Sequence, residues 1–226
     1  MASLDDLPLR DDLRGKKAYG APMVPVRYAL NVNENTHPVP DSVRSAILES
    51  LGHALENINR YPDREFTVLR ESLATYASES HQGDEITPDM VWAANGSNEV
   101  LQHVLQAFGG PGRSLLGFPP TYSMHPIIAE STGTTWIPGR RNEDFTLSTE
   151  SVVADIETHH PDLVFFCAPN NPTGTPVSVD TISAAYEVTS GVVLVDEAYV
   201  EFLPEGTLTA SQLLPGRERL VVSRTM

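Results

Sequence analysis

The stretch Leu163-Val164-Phe165-Phe166-Cys167-Ala168-Pro169-Asn170-Asn171-Pro172-Thr173-Gly174, followed by Ser178 to Thr189 and then Val192-Val193-Leu194-Val195-Asp196-Glu197-Ala198-Tyr199, decides the fold class. Leu163 to Ala168 is apolar at every position and ends at a proline, which reads as a short strand covered on both faces. Ser178 to Thr189 reads as a helix, and Val192 to Val195 as a second doubly covered strand. Strand, helix and strand in that order form the repeating unit of a parallel sheet.

The same alternation extends on both sides. Met90 to Ala94, Ser114 to Phe118, Thr134 to Ile137 and Leu220 to Ser223 read as further strands. Asn98 to Phe108, Tyr122 to Ser131 and Ser151 to Thr158 read as the helices between them. Upstream, Val43, Ile47, Leu48, Leu51 and Leu55 recur at helical spacing after a candidate N-cap, Asp41. A second helix is expected to start at Pro62-Asp63 and to bury Phe66, Leu69, Leu73 and Tyr76. Residues 1–40 are rich in proline and read as an arm with one extended piece, Arg27 to Val32. The expected architecture is a three-layer α/β/α domain with a mainly parallel sheet, preceded by an N-terminal arm.

Composition narrows the classes. The 226 residues carry 15 Lys+Arg against 30 Asp+Glu, a formal charge of −15, and the basic residues are scattered. That balance disfavours phosphate backbones and anionic lipid as partners, so neither nucleic acid nor membrane is expected. With 40% hydrophobic residues the chain has enough apolar surface for a core. No apolar run approaches the roughly 18–20 residues of a membrane helix. The acidic start lacks a signal-peptide core. Cys167 is the only cysteine, which excludes an intrachain disulfide and fits a reducing, cytoplasmic setting. The seven histidines show no metal-ligand spacing, and no metal is expected. Gly109-Gly110-Pro111-Gly112 reads as the turn from a helix into the next strand, and no Gly-x-Ser-x-Gly elbow supplies a hydrolase nucleophile.

Parallel sheets bind ligands beyond the carboxyl ends of their strands, so chemistry is sought there. Asn95-Gly96-Ser97-Asn98-Glu99 leads into a helix and offers either an anion site on free N–H groups or an ordinary Ser or Asn helix cap. Asn170 and Asn171 stand in a turn held by two prolines and a glycine, facing either a ligand or their own backbone. Asp196 directly follows four apolar residues, where a carboxylate is costly without a cation or proton donor.

Together these exits resemble fold-type I pyridoxal-phosphate enzymes, and more narrowly the histidinol-phosphate aminotransferase family within the class I/II aminotransferases. The resemblance runs from about Tyr19 to Met226. Its most specific pieces are Asn31 to Asn35, Arg60 to Asp63, Asn95 to Glu99, Pro119 to Tyr122, Pro169 to Gly174, Val195 to Tyr199 and Ser223 to Met226. It implies that Ser97 and Asn98 hold the phosphate of pyridoxal 5'-phosphate, with Thr225 and with Tyr61 from the other subunit of a homodimer. Tyr122 would stack on the ring, Asn171 and Tyr199 would bond its phenolic oxygen, and Asp196 would pair with its nitrogen. Tyr19, Asn33, Glu34 and Asn35 would face the substrate, histidinol phosphate, in an exchange with glutamate and 2-oxoglutarate that belongs to histidine biosynthesis. The loop reads Asn-Glu-Asn-Thr-His-Pro, where the family more usually has proline directly after the second Asn.

The resemblance also implies a division into residues 1–60, an arm and the start of a small domain, and 61–226, an incomplete cofactor-binding large domain. In the family a Ser-Lys pair follows the stretch matching Ser223 to Met226, so the Schiff-base lysine is expected beyond Met226, as is a C-terminal small domain. Lys16 and Lys17 are the only lysines present. The chain alone is therefore expected to be inactive. Rival readings are a non-catalytic fragment and a related reaction on the same scaffold, as in threonine-phosphate decarboxylase or a carbon–sulfur lyase.

Overall fold

The computed structural model describes residues 6–16, 20, 25–28, 31–79 and 86–226. They fall into two compact units, Met1–Phe66 and Thr67–Met226.

In the first unit, α1 spans Asp41–Leu55. Its cap is Pro40, and Asp41 is the first helical residue, where its carboxylate meets the Arg44 guanidinium; this corrects the capping role expected of Asp41. The stripe of Val43, Ile47, Leu48, Leu51 and Leu55 is exposed. The expected extended piece Arg27 to Val32 forms no strand among its described residues.

The second unit holds α2 (Thr67–Glu79), α3 (Ser97–Phe108), β1 (Ser114–Gly117), α4 (Met124–Thr132), β2 (Thr135–Pro138), α5 (Thr149–His159), β3 (Leu163–Cys167), α6 (Val179–Val188), β4 (Val192–Asp196) and β5 (Leu220–Ser223). The strands form one sheet in the order β2-β1-β3-β4-β5, and every pairing is parallel. Alternation along the strands builds both faces. Leu116, Val164, Phe166, Val193 and Val195 pack with Val152 and Ile156 of α5 and Ile182 and Ala185 of α6. Leu115, Leu163, Phe165 and Leu194 pack with Leu101 and Leu105 of α3 and Ile128 and Ala129 of α4. Two cores on opposite faces of one sheet make the three-layer α/β/α fold.

Three expectations are corrected. α2 begins at Thr67, after a turn in which Phe66 takes φ 51°, rather than at Pro62-Asp63. Of its residues only Ala74 is buried, and Leu69 and Tyr76 remain exposed, so the expected stripe is not a core stripe. Met90 to Ala94 is not a strand: a 3-10 turn covers Pro88–Met90, and the residues after it pair with no strand among the described residues. Val91 has extended dihedrals, but extension without a ladder partner is not a strand.

Candidate active site

The exits of the parallel strands lie at one end of the sheet, and the polar residues gather there. Asp196 closes β4, opposite Ser223 of β5 and Cys167 of β3 in register. Its side chain is 2% exposed. Oδ1 accepts hydrogen bonds from Ser223 Oγ at 3.1 Å and from the Ala198 backbone N–H at 3.3 Å. Oδ2 lies 3.2 Å from His125 Nε2. With the proton on Nε2, the imidazole donates and the carboxylate accepts. His125 Nδ1 is buried without a hydrogen-bond partner among the described residues.

α4 delivers His125 to the end of the sheet, where its ring meets Phe165 of β3 and Tyr122 edge to face, at centroid separations of 5.6 and 5.7 Å. Tyr122, His125, Asp196 and Ser223 thus form one chain of contacts. Sequence reading found Tyr122 and Asp196 but not His125 or Ser223. Neither carried a local signal: His125 is the second residue of α4, and Ser223 meets Asp196 through the register of β5 against β4.

At the exit of β3, Asn170 is buried and its Nδ2 donates to Pro120 O and Thr173 Oγ1, which fastens the turn to the exit of β1. Asn171 points elsewhere: its Nδ2 approaches the Tyr199 hydroxyl at 3.5 Å. Of the two carboxamides, Asn170 is structural and Asn171 faces the site with Tyr199. Cys167 sits below, its thiol pushed up to about 12 by burial first and by the nearby Asp196 charge second.

The turn before α3 takes the anion-ready form. Gly96 is the N-cap, with φ 76° and ψ 168°, a conformation that favours glycine, and no side chain caps the helix. The alternative of a Ser or Asn cap is therefore not realised. Glu99 reaches back to accept from the Asn95 backbone N–H and Nδ2, and the backbone bond above all holds its carboxyl below the ordinary range. Ser97 and Asn98 occupy the first helical positions. Gly96 and Thr225 line one cavity of about 440 Å³, together with Arg224, Met226 and apolar side chains of α2 and β5.

The remaining candidates belong to the first unit. Tyr61 is fully exposed, and Asn33, Glu34 and Asn35 lie in an irregular segment where Asn35 Oδ1 accepts from the His37 N–H at 3.0 Å. Tyr19 lies outside the described residues. Among the described residues no three His, Cys, Asp or Glu side chains could hold a metal ion, and no helix is long and apolar enough to cross a membrane.

A buried carboxylate in contact with a histidine and an Asn–Tyr pair at the exits of parallel strands, and an uncapped helix start at α3, mark an α/β domain whose polar groups gather at one end of its sheet. Residues 28–226 match the family "Aminotransferase class I and II", and the chain belongs to it. It is 55% identical over 226 residues to the histidinol-phosphate aminotransferase of Paenarthrobacter aurescens, covering 99% of this chain and 59% of that protein. It is 50% identical over 224 residues to the enzyme of the same name from Thermobifida fusca, covering 99% and 60%. Among solved structures, the histidinol-phosphate aminotransferase of Sinorhizobium meliloti in complex with pyridoxal-5'-phosphate superposes with a TM-score of 0.70 at 20% identity, over 82% of this chain and 48% of that one. A Thermus thermophilus aspartate aminotransferase double mutant gives 0.72 at 21%, over 85% and 50%. The chain thus spans about three-fifths of the curated relatives it matches and about half of the solved ones.

Proposed function

We propose that this chain is the cofactor-binding part of a pyridoxal-phosphate-dependent aminotransferase that acts on histidinol phosphate, with glutamate and 2-oxoglutarate as the amino-group pair. The observation that carries the reading is Asp196, a buried carboxylate with His125 and Ser223 on its oxygens, at strand exits that also carry Asn171 and Tyr199.

The donor set fits the cofactor. The first-turn N–H groups at Ser97 and Asn98, with the positive end of the α3 dipole, would take the phosphate, assisted by the Thr225 hydroxyl. Such a hold suits a chain of net charge −15, because it relies on fixed dipoles rather than lysines. Tyr122 would cover the ring, and Asn171 and Tyr199 would bond its phenolic oxygen. When bound, the cofactor supplies an electron sink for the bond broken at the substrate carbon. Asp196 would hold a proton on the ring nitrogen, with His125 against one of its carboxylate oxygens and Ser223 donating to the other. Tyr61 of a second subunit would complete the phosphate site in a homodimer, and Tyr19, Asn33, Glu34 and Asn35 would contact the substrate. A cytoplasmic location, without nucleic acid or membrane partners, agrees with the acidic composition.

Proton transfer at the substrate carbon in this chemistry needs an amine. Within these 226 residues the only lysines are Lys16 and Lys17, which lie in the arm. The chain alone is therefore expected to release no glutamate from histidinol phosphate and 2-oxoglutarate. The same chain joined to the C-terminal part of the Paenarthrobacter aurescens relative is expected to do so. Turnover of O-phosphothreonine instead by that fusion, or none with either substrate, would refute the assignment.

A further inference from the structure

Glu197 directly follows Asp196, yet it serves a different place. Its side chain is 2% exposed, and Oε2 accepts two hydrogen bonds from Arg224, from Nη2 at 2.8 Å and Nε at 3.2 Å. Oε1 accepts from the Ala210 backbone N–H at 2.6 Å. Arg224 Nη2 also donates to Ser211 Oγ at 3.1 Å. The Glu197 backbone N–H donates to Ser223 O at 2.8 Å. Two consecutive carboxylates at the exit of β4 thus grip two consecutive residues at the exit of β5: Asp196 takes Ser223, and Glu197 takes Arg224. The next residue is Thr225, which lines the same cavity as Gly96 at the start of α3.

We infer that the buried Glu197–Arg224 pair is a positioning device that holds Thr225 at the phosphate end of the site. Burying a charged pair is costly, and hydrophobic residues of equal volume would pack a strand exit at least as well. Two guanidinium donors on Oε2 and the Ala210 N–H on Oε1 do what apolar packing does not: they fix direction as well as distance. Burial pushes the Glu197 carboxyl up, opposed chiefly by the Arg224 charge, so each partner needs the other. Because Ser211 and Ala210 are tied to the same two side chains, the loop at Thr209–Ser211 backs the device from the far side.

This inference rests on the cofactor reading above, and two readouts separate them. The 226-residue chain and its R224Q, R224K and E197Q variants are titrated with 4'-deoxypyridoxine 5'-phosphate, which has ring and phosphate but no aldehyde to react with lysines. The unphosphorylated 4'-deoxypyridoxine is titrated in parallel. If Arg224 positions Thr225, R224Q and E197Q weaken the phosphorylated ligand about five-fold or more and leave the unphosphorylated one within about two-fold, and R224K, which keeps the charge but not the guanidinium fork, recovers only part of the loss. Equal losses for both ligands, or no loss, overturn the inference. Failure of the unsubstituted chain to bind either ligand overturns the cofactor reading. Amide hydrogen exchange at Thr225 then still reads the pin itself: exchange about ten-fold faster in R224Q than in the unsubstituted chain supports it, and equal rates overturn it.

Discussion

Asp196 was legible as a chemical residue because a carboxylate after Val192-Val193-Leu194-Val195 has to be paid for by a partner, and the partner types follow from that alone. Which partners it has was not legible. His125 reaches Asp196 only because α4 packs over the end of β3, a relation that no local pattern encodes. Replacing His125 by Phe is expected to keep the ring packing, leave Asp196 Oδ2 without its donor and weaken binding of 4'-deoxypyridoxine 5'-phosphate about ten-fold. Gln, which can present an amide N–H at similar reach, is expected to recover part of the loss; equal affinities for the Phe and Gln variants would mean the donor is irrelevant. Cys167 gives a second residue-scale expectation. With its thiol at about 12, almost none is thiolate near neutrality. The native chain should therefore resist a thiol reagent such as Ellman's at pH values well below that figure and react fully in denaturant.

At the scale of elements, the five strands were legible because they are short apolar runs, several of them apolar on both faces, and the helices between them because their periodicity changes to three and four. Two misreadings share one cause. Met90 to Ala94 has the composition of a strand but no ladder partner among the described residues, and of the α2 residues only Ala74 is fully buried. Composition reports what a segment could bury, and burial needs a neighbour. The start of α3 carries its own test. A Cβ on Gly96 would meet nothing within 4 Å, so Gly96→Ala isolates backbone strain from crowding. It is expected to cost about 1–3 kcal/mol, read as a lower urea midpoint, and to weaken phosphate-ligand binding. Gly117→Ala tests the opposite case, because its Cβ would run into the Trp136 ring across the β1–β2 pairing. Loss of stability there should come without selective loss of phosphate binding, and a selective loss would place β2 in the site.

At the scale of the whole molecule, the class was legible from the order of the elements, and the candidate site residues at the strand exits of Thr67–Met226 were picked out because parallel strands deliver their exits to one end. The first unit was less so, since Asn33 to Asn35 and Tyr61 are exposed there. The acidic composition acts at this scale too: a formal charge of −15 should make binding of a phosphate ligand tighten with added salt that screens the repulsion, rather than weaken as it does where lysines hold the anion. The central claim is that the strand exits bind the cofactor with its ring nitrogen on Asp196. The most direct measurement is the ring ¹⁵N chemical shift of labelled 4'-deoxypyridoxine 5'-phosphate bound to the 226-residue chain. A pyridinium shift persisting to about pH 8, and lost in the Asp196→Asn variant, is the expected result. A bound ligand with a neutral ring nitrogen in the unsubstituted chain, or a shift indifferent to Asp196→Asn, would contradict it.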